Sequence, residues 1–530
     1  MPGLRWITRT SHSGHNIFRS KTREQPGYPT RSRPTVGLIR LIARANRELG
    51  SCMTTIVWFR QDLRTRDNPA LAAAAARGTV VPIFILDELS SGSRWRLGRA
   101  SRWWLHHSLA ALRNDLGQLA LLRGESRQLL PAIIKKVGAS AVYWNRCYEP
   151  FAVARDTELK VSLQKLGVEV RSFNGSLLHE PWELATGSGG PFKVYTPYWR
   201  ASLSKPVMAP LPASNLKVET CANLGERLEK WSLLPIKPNW AARWGALWQP
   251  GEAGALSQFD EFAKNRLTKY REIRDRPDLQ GTSRLSPHLH WGEISPRQIW
   301  ARLNREAEDP LKQHGADKFL SEIGWREFSH HLLYHFQTLP EQNWRQNFDA
   351  YPWRESASDL KAWQRGMTGY PLVDAGMREL WQTGWMHNRA RMIAASFLVK
   401  HLRIDWRHGE AWFWDTLVDA DLANNAAGWQ WVAGSGADAS PYFRIFNPII
   451  QGKKFDPNGD YVRRWCPELA RLPNEFIHEP FKAKPEALAR AGIKLGSTYP
   501  SPIVDHDQAR RAALDGYAKV RAYANQIGDS

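Results

Sequence analysis

Between Thr54 and Ser172 the apolar positions come in short unbroken runs, separated by longer stretches with helical spacing. Thr55–Phe59 (TIVWF), Val80–Leu86, Leu119–Leu122, Ala141–Trp144 and Val168–Ser172 read as buried strands. Pro69–Ala76, Ser101–Gly117, Gln128–Lys136 and Val153–Lys165 read as helices between them, with Asn68 as a cap ahead of Pro69. Fully apolar strands alternating with helices predict a parallel sheet covered on both faces, an α/β doubly wound domain over 53–173. Domains of this kind take ligands at the carboxyl ends of their strands. No glycine-rich dinucleotide or phosphate-loop fingerprint follows the first strand.

Residues 174–256 show no clear period. The GSGG run at 187–190 reads as a flexible loop, and repeated prolines follow, so a long interdomain linker wrapping over the surface is expected. Beyond it strand signals vanish. Helices are expected at 257–273, 296–306, 316–335, 357–365, 371–383, 385–402, 407–418 and 506–526, giving an all-α C-terminal domain over 257–530. This half carries 14 of the 26 Trp, enough large side chains for its own core. Residues 1–52 share neither pattern. Their ten Lys or Arg against two Glu fit a basic transit peptide, and better a disordered extension or a start placed ahead of the true one at Met53.

Charge narrows the partner. The net charge is +21, of which the extension supplies eight, and a basic body points to a polyanion, nucleic acid first. Four scattered cysteines, Cys52, Cys147, Cys221 and Cys466, make no disulfide framework, so a reducing intracellular compartment is expected. No apolar run is long enough for a membrane span.

Four stretches carry candidate chemistry. The richest runs from Asp419 to Pro448: Asp419, Asp421 and Asn425 fall together at what reads as a helix end, with Trp429 and Trp431 directly after. Polar groups converging beside large aromatics suit a flat, polar-edged ligand, although a capped helix end with Trp as core filler explains the same residues. GTSRLS at 281–286, with Tyr270 upstream, offers the hydroxyls of Thr282, Ser283 and Ser286 and free N–H groups at a helix start, which hold either a phosphate or simply the helix cap. In EIGWR, Glu322 lies one helical turn from Trp325 and Arg326, a surface ion pair or an acid in a cleft. In WMHNRARM, helical spacing places Trp385, Asn388, Arg391 and Met392 on one face, an odd stripe for a core and a suitable one for a polar ligand. His387 has no second His or Cys to complete a set, so no metal is expected.

The ordered runs WFRQDLRTRDNPAL, GTSRLSPHLHWGEISPRQ, WREF, TGYPLVDAGMREL, GWMHNRARM, DLANNAAGWQW and PYFRIFNP together resemble the photolyase/cryptochrome flavoprotein family from about Thr54 to about Arg471. Within it, GWMHNRARM looks like the class I cyclobutane pyrimidine dimer photolyases, because relatives acting on (6-4) photoproducts carry His where this chain has Asn388 and Met392. The resemblance implies one FAD, active as FADH⁻, in the helical domain. Tyr270, Thr282, Ser283, Leu285 and Ser286 would hold its phosphates and ribose; Glu322, Trp385, Asn388, Arg391, Asp419, Asp421 and Asn425 would line its rings. Glu322, Trp325, Asn388, Arg389, Met392 and Trp431 would receive an extruded dimer, with Arg274, Arg389, Lys453 and Lys454 near DNA phosphates. Trp429, Trp406 and Trp353 match the photoreduction chain, inward to outward. An antenna chromophore, folate or deazaflavin, is expected on the α/β domain. Glu149 matches a folate contact, whereas Pro340-Glu341 replaces a Cys-Lys contact pair, which counts against folate. Phe319 stands where a flavin-pocket Trp is expected.

The expected function is light-driven splitting of pyrimidine dimers in UV-damaged DNA by a monomer without obligate protein partner. The alternative is a cryptochrome-like blue-light sensor that binds FAD without repairing. The five lesion-pocket residues (Glu322, Trp325, Asn388, Met392 and Trp431) favour the lyase, as does a chain that ends near its last helix. A basic DNA-binding protein without cofactor is the third reading, and it predicts a colourless protein.

Overall fold

The computed structural model describes residues 53–92, 94–219, 224–439 and 443–528. The basic extension, Cys52 and Cys221 lie outside the described residues, and Cys147 and Cys466 are free thiols. Five parallel strands, β1 (Met53–Phe59), β2 (Gly78–Leu86), β3 (Ala120–Arg123), β4 (Ala141–Asn145) and β5 (Glu169–Phe173), lie in the order 3-2-1-4-5. The unbroken apolar runs are explained by burial on both sides. Val57 and Phe59 join one core with Leu71, Trp104 and Leu109, while Ile56 and Trp58 join the opposite one with Leu130, Leu159 and Leu163. The strand order reverses between β1 and β4, where an open sheet of this kind has its crevice.

The expected surface linker is built into the fold. A helix Tyr195–Leu203 forms within it, and a two-residue strand β6 (Lys217–Val218) pairs with the start of β2. Leu177, Tyr198, Trp231, Trp244 and Trp248 are buried. The segment lacks a period because its apolar residues are single anchors for several neighbours rather than one stripe on one element.

The polar RQDLRTRDN run after β1 fastens the sheet to the helical half. Arg64 is fully buried and, among the described residues, is in no ion pair. Its guanidinium donates to four backbone carbonyls: Gly292 (2.9 Å), Gly175 (2.6 Å), Asp67 (2.6 Å) and Arg66 (3.0 Å). Leu63 N donates to Trp291 O at 3.0 Å, and Asp67 pairs with Arg297 at 3.0 Å. The approach is so close that a Cβ on Gly292 would lie 2.1 Å from Gln61 O.

The helical half is organised around Pro310–His335. Asp309 caps it by accepting from Leu311 N at 3.0 Å. Its hydrophobic residues occur all round, because Phe319, Leu320, Ile323, Phe328 and Leu332 are buried among different neighbours. Two expectations need correction. The 385–402 helix begins only at Asn388, with His387 as its cap, and its last turn, Phe397–His401, is wound as a π-helix. Trp385 therefore does not share the Asn388–Met392 face. Asp419 and Asp421 do not end a helix: they lie in the turn between Trp406–Thr416 and Leu422–Ala433, and Asp421 caps the second by accepting from Asn424 N at 2.8 Å.

Arg64→Met keeps the volume and removes the donors, leaving buried carbonyls of both halves unpaired. A loss of about 3–5 kcal/mol is expected, visible as a large fall in Tm by calorimetry. An unchanged Tm would mean that the clamp is not structural.

Candidate active site

A cavity of about 450 Å³ opens between Pro310–His335, Asn388–Ser396 and Leu422–Ala433. Its wall includes Glu322 and Trp325 from the first helix, Asn388, Arg389, Arg391 and Met392 from the second, and Asp419, Asp421, Asn425, Trp429 and Trp431 from the turn and the third. Helical spacing on three elements thus converges on one space, in the size range of small-molecule sites.

Its electrostatics are set by carboxylates held under the surface. Arg391 pairs with Asp419 at 2.8 Å and also donates to Met386 O at 2.7 Å. The other Asp419 oxygen is buried and unpartnered, an acceptor waiting for a ligand N–H. Burial drives the Asp421 carboxyl up, but His330 (3.4 Å) and His290 (3.7 Å) outweigh burial and hold it well below the carboxylate range. Asn425 donates its amide N–H to Glu410 O at 3.0 Å, which leaves its Oδ1 as an acceptor. Glu322 is tied to Arg274 (2.7 Å) and Lys318 (2.8 Å). Asn388 donates weakly to Met392 Sδ at 3.8 Å, and Arg389 pairs with Asp275 at 2.8 Å while lying over the Phe455 ring.

Tyr270, Thr282, Ser283, Leu285, Ser286 and Trp385 form a neighbouring cluster that is not part of the cavity wall. Trp385 donates to Ser286 Oγ at 3.2 Å, Ser283 Oγ accepts from Leu285 N at 3.3 Å, and Tyr270 stacks edge-on against Phe262 and Phe319. Phe319 fills the aromatic position without a donor. At the centre of this cluster lies Arg284, in a left-handed conformation (φ +54°), its guanidinium 4.2 Å over Trp248 and 5.1 Å over Trp385. Its Nε is buried without a partner. A search for hydroxyls in GTSRLS passed over this cation, although it stands in the same motif. Lys318, His290, His330 and Glu410 were also missed, because only the fold brings them beside Glu322, Asp421 and Asn425.

The three expected chain tryptophans are all in or against one core. Trp429 and Trp406 are buried, Trp353 partly so. Trp406 donates to Asn343 at 2.9 Å, and Trp353 packs on Tyr351 with centroids 4.5 Å apart. Among the described residues the ring neighbours of Trp429 are Phe413 (5.0 Å) and Trp363 (6.1 Å). Trp429 also lies so close to Gly409 that a Cβ there would sit 2.1 Å from its ring. Lys453 is paired with Glu479, and Lys454 lies over Phe455 at 5.2 Å.

On the α/β side, the crevice between β1 and β4 is filled by protein. Arg60 pairs with Asp156 at 2.7 Å and lies over Trp58, and Arg155 covers the same ring, so a planar chromophore there would have to displace this cluster. Beside it Glu149 accepts from Gln61 at 2.7 Å, while its second oxygen is buried and unpartnered. Arginines already use both carbonyls of the Pro340-Glu341 pair: Arg94 at 3.0 Å and Arg407 at 2.8 Å.

Residues 319–519 match the profile of the FAD binding domain of DNA photolyase, and residues 55–215 that of DNA photolyase. The chain is 54% identical over 477 residues to the deoxyribodipyrimidine photo-lyase of Agrobacterium fabrum, covering 88% of this chain and 98% of the relative. It is 42% identical to Cryptochrome-2 of Arabidopsis thaliana, over 89% of this chain and 80% of the relative. Among solved structures, a bacterial class III photolyase from Agrobacterium tumefaciens superposes with a TM-score of 0.86 at 53% identity, over 89% of this chain and 98% of the other. The arrangement is that of a flavoprotein with a parallel-sheet domain in front of a helical FAD-binding domain. The chain belongs to the photolyase/cryptochrome family. The chain is thus similar to a class III photolyase along nearly its whole length, which corrects the class I likeness read from GWMHNRARM, a motif of one pocket wall.

FAD fits the residues present: Asp419 Oδ1 in the cavity and Arg284 Nε in the neighbouring cluster are both buried polar atoms lacking a partner, an acceptor at one place and a donor at the other. Among the described residues no cluster of His, Cys, Asp and Glu could hold a metal, and no helix is long and apolar enough to cross a membrane.

Glu327 anchors this region to residues 176–180, accepting from Leu178 N at 2.7 Å. Burial pushes its carboxyl up to about 7, against the pull of Arg326 and His330. A carboxyl that holds its proton more tightly when folded gives stability that is complete below its ordinary value of 4.5 and is lost as the pH rises through 7. Glu327→Gln should therefore show a smaller fall in Tm than the parent between about pH 5.5 and 8.5. Equal falls would remove Glu327 as the source.

Proposed function

We propose that this protein is a light-driven DNA repair lyase that splits cyclobutane pyrimidine dimers. The observation that carries the reading is the convergence of Glu322, Trp325, Asn388, Met392 and Trp431 with Arg391, Asp419 and Asn425 around one cavity. Bound FADH⁻ supplies, on excitation by blue light, the electron that opens the cyclobutane ring and afterwards takes it back.

The side chains prepare that exchange without a nucleophile or an acid–base pair. Arg391, fixed by Asp419, sets a cation beside the ring, favouring its reduced anionic form. Asn425 Oδ1 would accept from a protonated ring nitrogen of the bound flavin, and Asp419 Oδ1 from a second N–H. Trp325, Trp431 and Met392 are apolar walls that exclude water from an extruded dimer, whose weakened stacking lowers the cost of leaving the duplex. Glu322 brings Arg274 and Lys318 to the same wall, so negative charge on the dimer meets two cations as well as the carboxyl. Trp429, Trp406 and Trp353 relay electrons inward when oxidised FAD is photoreduced. Arg274, Arg389, Lys453 and Lys454 meet DNA phosphates, the first three by sharing or exchanging their carboxylates Glu322, Asp275 and Glu479. Thr282, Ser283, Arg284 and Ser286 take the cofactor's phosphates and ribose, Tyr270, Leu285 and Trp385 packing beside them. An antenna molecule at Glu149 would use its free oxygen rather than the filled sheet crevice. The protein works as a monomer, in the compartment that holds the DNA.

The deciding experiment mixes reduced protein with DNA holding a defined thymine dimer and compares dimer content in the dark and under blue light. Loss in light alone is expected, and Glu322→Ala should lower the quantum yield by roughly tenfold with FAD retained. A yellow protein that leaves the dimer intact would support a photoreceptor instead. Trp429→Phe should abolish photoreduction of oxidised FAD, followed by absorbance, while chemically reduced variant still repairs. Photoreduction that persists would remove Trp429 from the relay.

A further inference from the structure

Trp325 does not stand alone in the cavity wall. Its indole lies face to face with Tyr195, ring centroids 3.8 Å apart and planes within 9°. Tyr195 belongs to Tyr195–Leu203, the helix of the connecting segment between the two halves, and it is buried. Its hydroxyl donates to Ser321 O at 2.7 Å, the carbonyl directly before Glu322. The same helix also packs on the residue before Trp325: a Cβ on Gly324 would lie 2.5 Å from the Trp199 ring. The connecting helix therefore meets the Glu322–Trp325 turn at both ends, Tyr195 at Ser321 and Trp325, and Trp199 at Gly324.

Trp325 has room to turn. It is only partly buried and lines the open cavity. The Tyr195 ring favours the orientation seen, because a parallel aromatic contact is lost as soon as the indole tilts. Burial, with Glu322 adding to it, pushes the Tyr195 phenol up to about 12, so the contact stays neutral over the working range.

We infer that Tyr195 is a positioning residue of the lesion pocket, its ring holding the Trp325 indole in the orientation that receives a dimer. This inference rests on the reading of Trp325 as a pocket wall. It makes the connecting helix part of the substrate site, although none of its residues faces the cavity. Held in advance, the indole meets the dimer without an ordering cost, so loss of the hold weakens dimer binding while binding to undamaged DNA, which leaves the pocket empty, is unchanged.

The test measures, in the dark, the Kd of the full chain with FAD bound for duplexes with and without one thymine dimer, and takes their ratio. Tyr195→Leu is expected to lower the preference for dimer DNA about tenfold, and Tyr195→Phe to keep it. Tyr198→Leu serves as the packing control: Tyr198 is buried in the same cluster, against Phe328 and His331, and does not stack on Trp325. It should lower Tm as much as Tyr195→Leu and leave the preference intact. In the pair Tyr195→Leu/Trp325→Leu the effect should equal that of Trp325→Leu alone. A preference lost equally in Tyr198→Leu, or effects of Tyr195→Leu and Trp325→Leu that simply add, would overturn the positioning role while leaving the pocket reading standing. An unchanged preference in Trp325→Leu would instead sink the pocket reading, and the inference with it.

Discussion

The site depends on charge that cannot reach water. Arg391 and Asp419 meet at 2.8 Å on two different elements, and the turn bearing Asp419 also carries Asp421, the cap of Leu422–Ala433. Separating the pair would strand a buried carboxylate, a cost of several kcal/mol in general. The pair therefore fixes how Asn388–Ser396 sits against Leu422–Ala433, and with it the distance between Met392 and Trp431 across the cavity. Asp419 keeps one oxygen unused. Asp419 Oδ1, Arg274 Nε and Arg389 Nε all lie buried without a partner in the wall of one cavity, which suits a polar ligand.

Two of the longest family-like runs serve architecture rather than chemistry. WFRQDLRTRDNPAL becomes β1, the Arg64 clamp and the Asn68 cap. In TGYPLVDAGMREL, buried Asp374 accepts from Thr368 N (2.7 Å), Thr368 Oγ1 (2.7 Å), Gly369 N (3.0 Å) and Tyr499 OH (2.7 Å), and so ties the helix start to a distant loop. A motif can be specific to a family because it holds the frame in which the reactive residues are placed.

The α/β half has a similar division. Its crevice is occupied by Arg60, Asp156 and Arg155 stacked on Trp58, so a position open to ligands in many sheets of this order is here a packed charge cluster. Its structural contribution to the site is indirect. Through Arg64, and through the connecting helix that reaches Trp325, it fixes the wall of a cavity in the other half.

The sequence by itself determined the alternation of strands and helices, the change to an all-helical second half, and the identity of the polar residues that line the cavity. Strand burial and helix faces are local periodicities, and Asn388 and Arg391 stand out on such a face, whereas Glu322 and Asn425 are marked by the family-like runs that hold them. Only the tertiary structure decided that Trp385 leaves the Asn388 face, that the connecting segment is a packed helix, and that Arg284, Lys318, His330 and Tyr195 stand beside the site. The reason is distance along the chain. Asp421 meets His330 across 91 positions, and Trp325 meets Tyr195 across 130; no spacing rule reaches that far, because such contacts exist only once separate helices have packed.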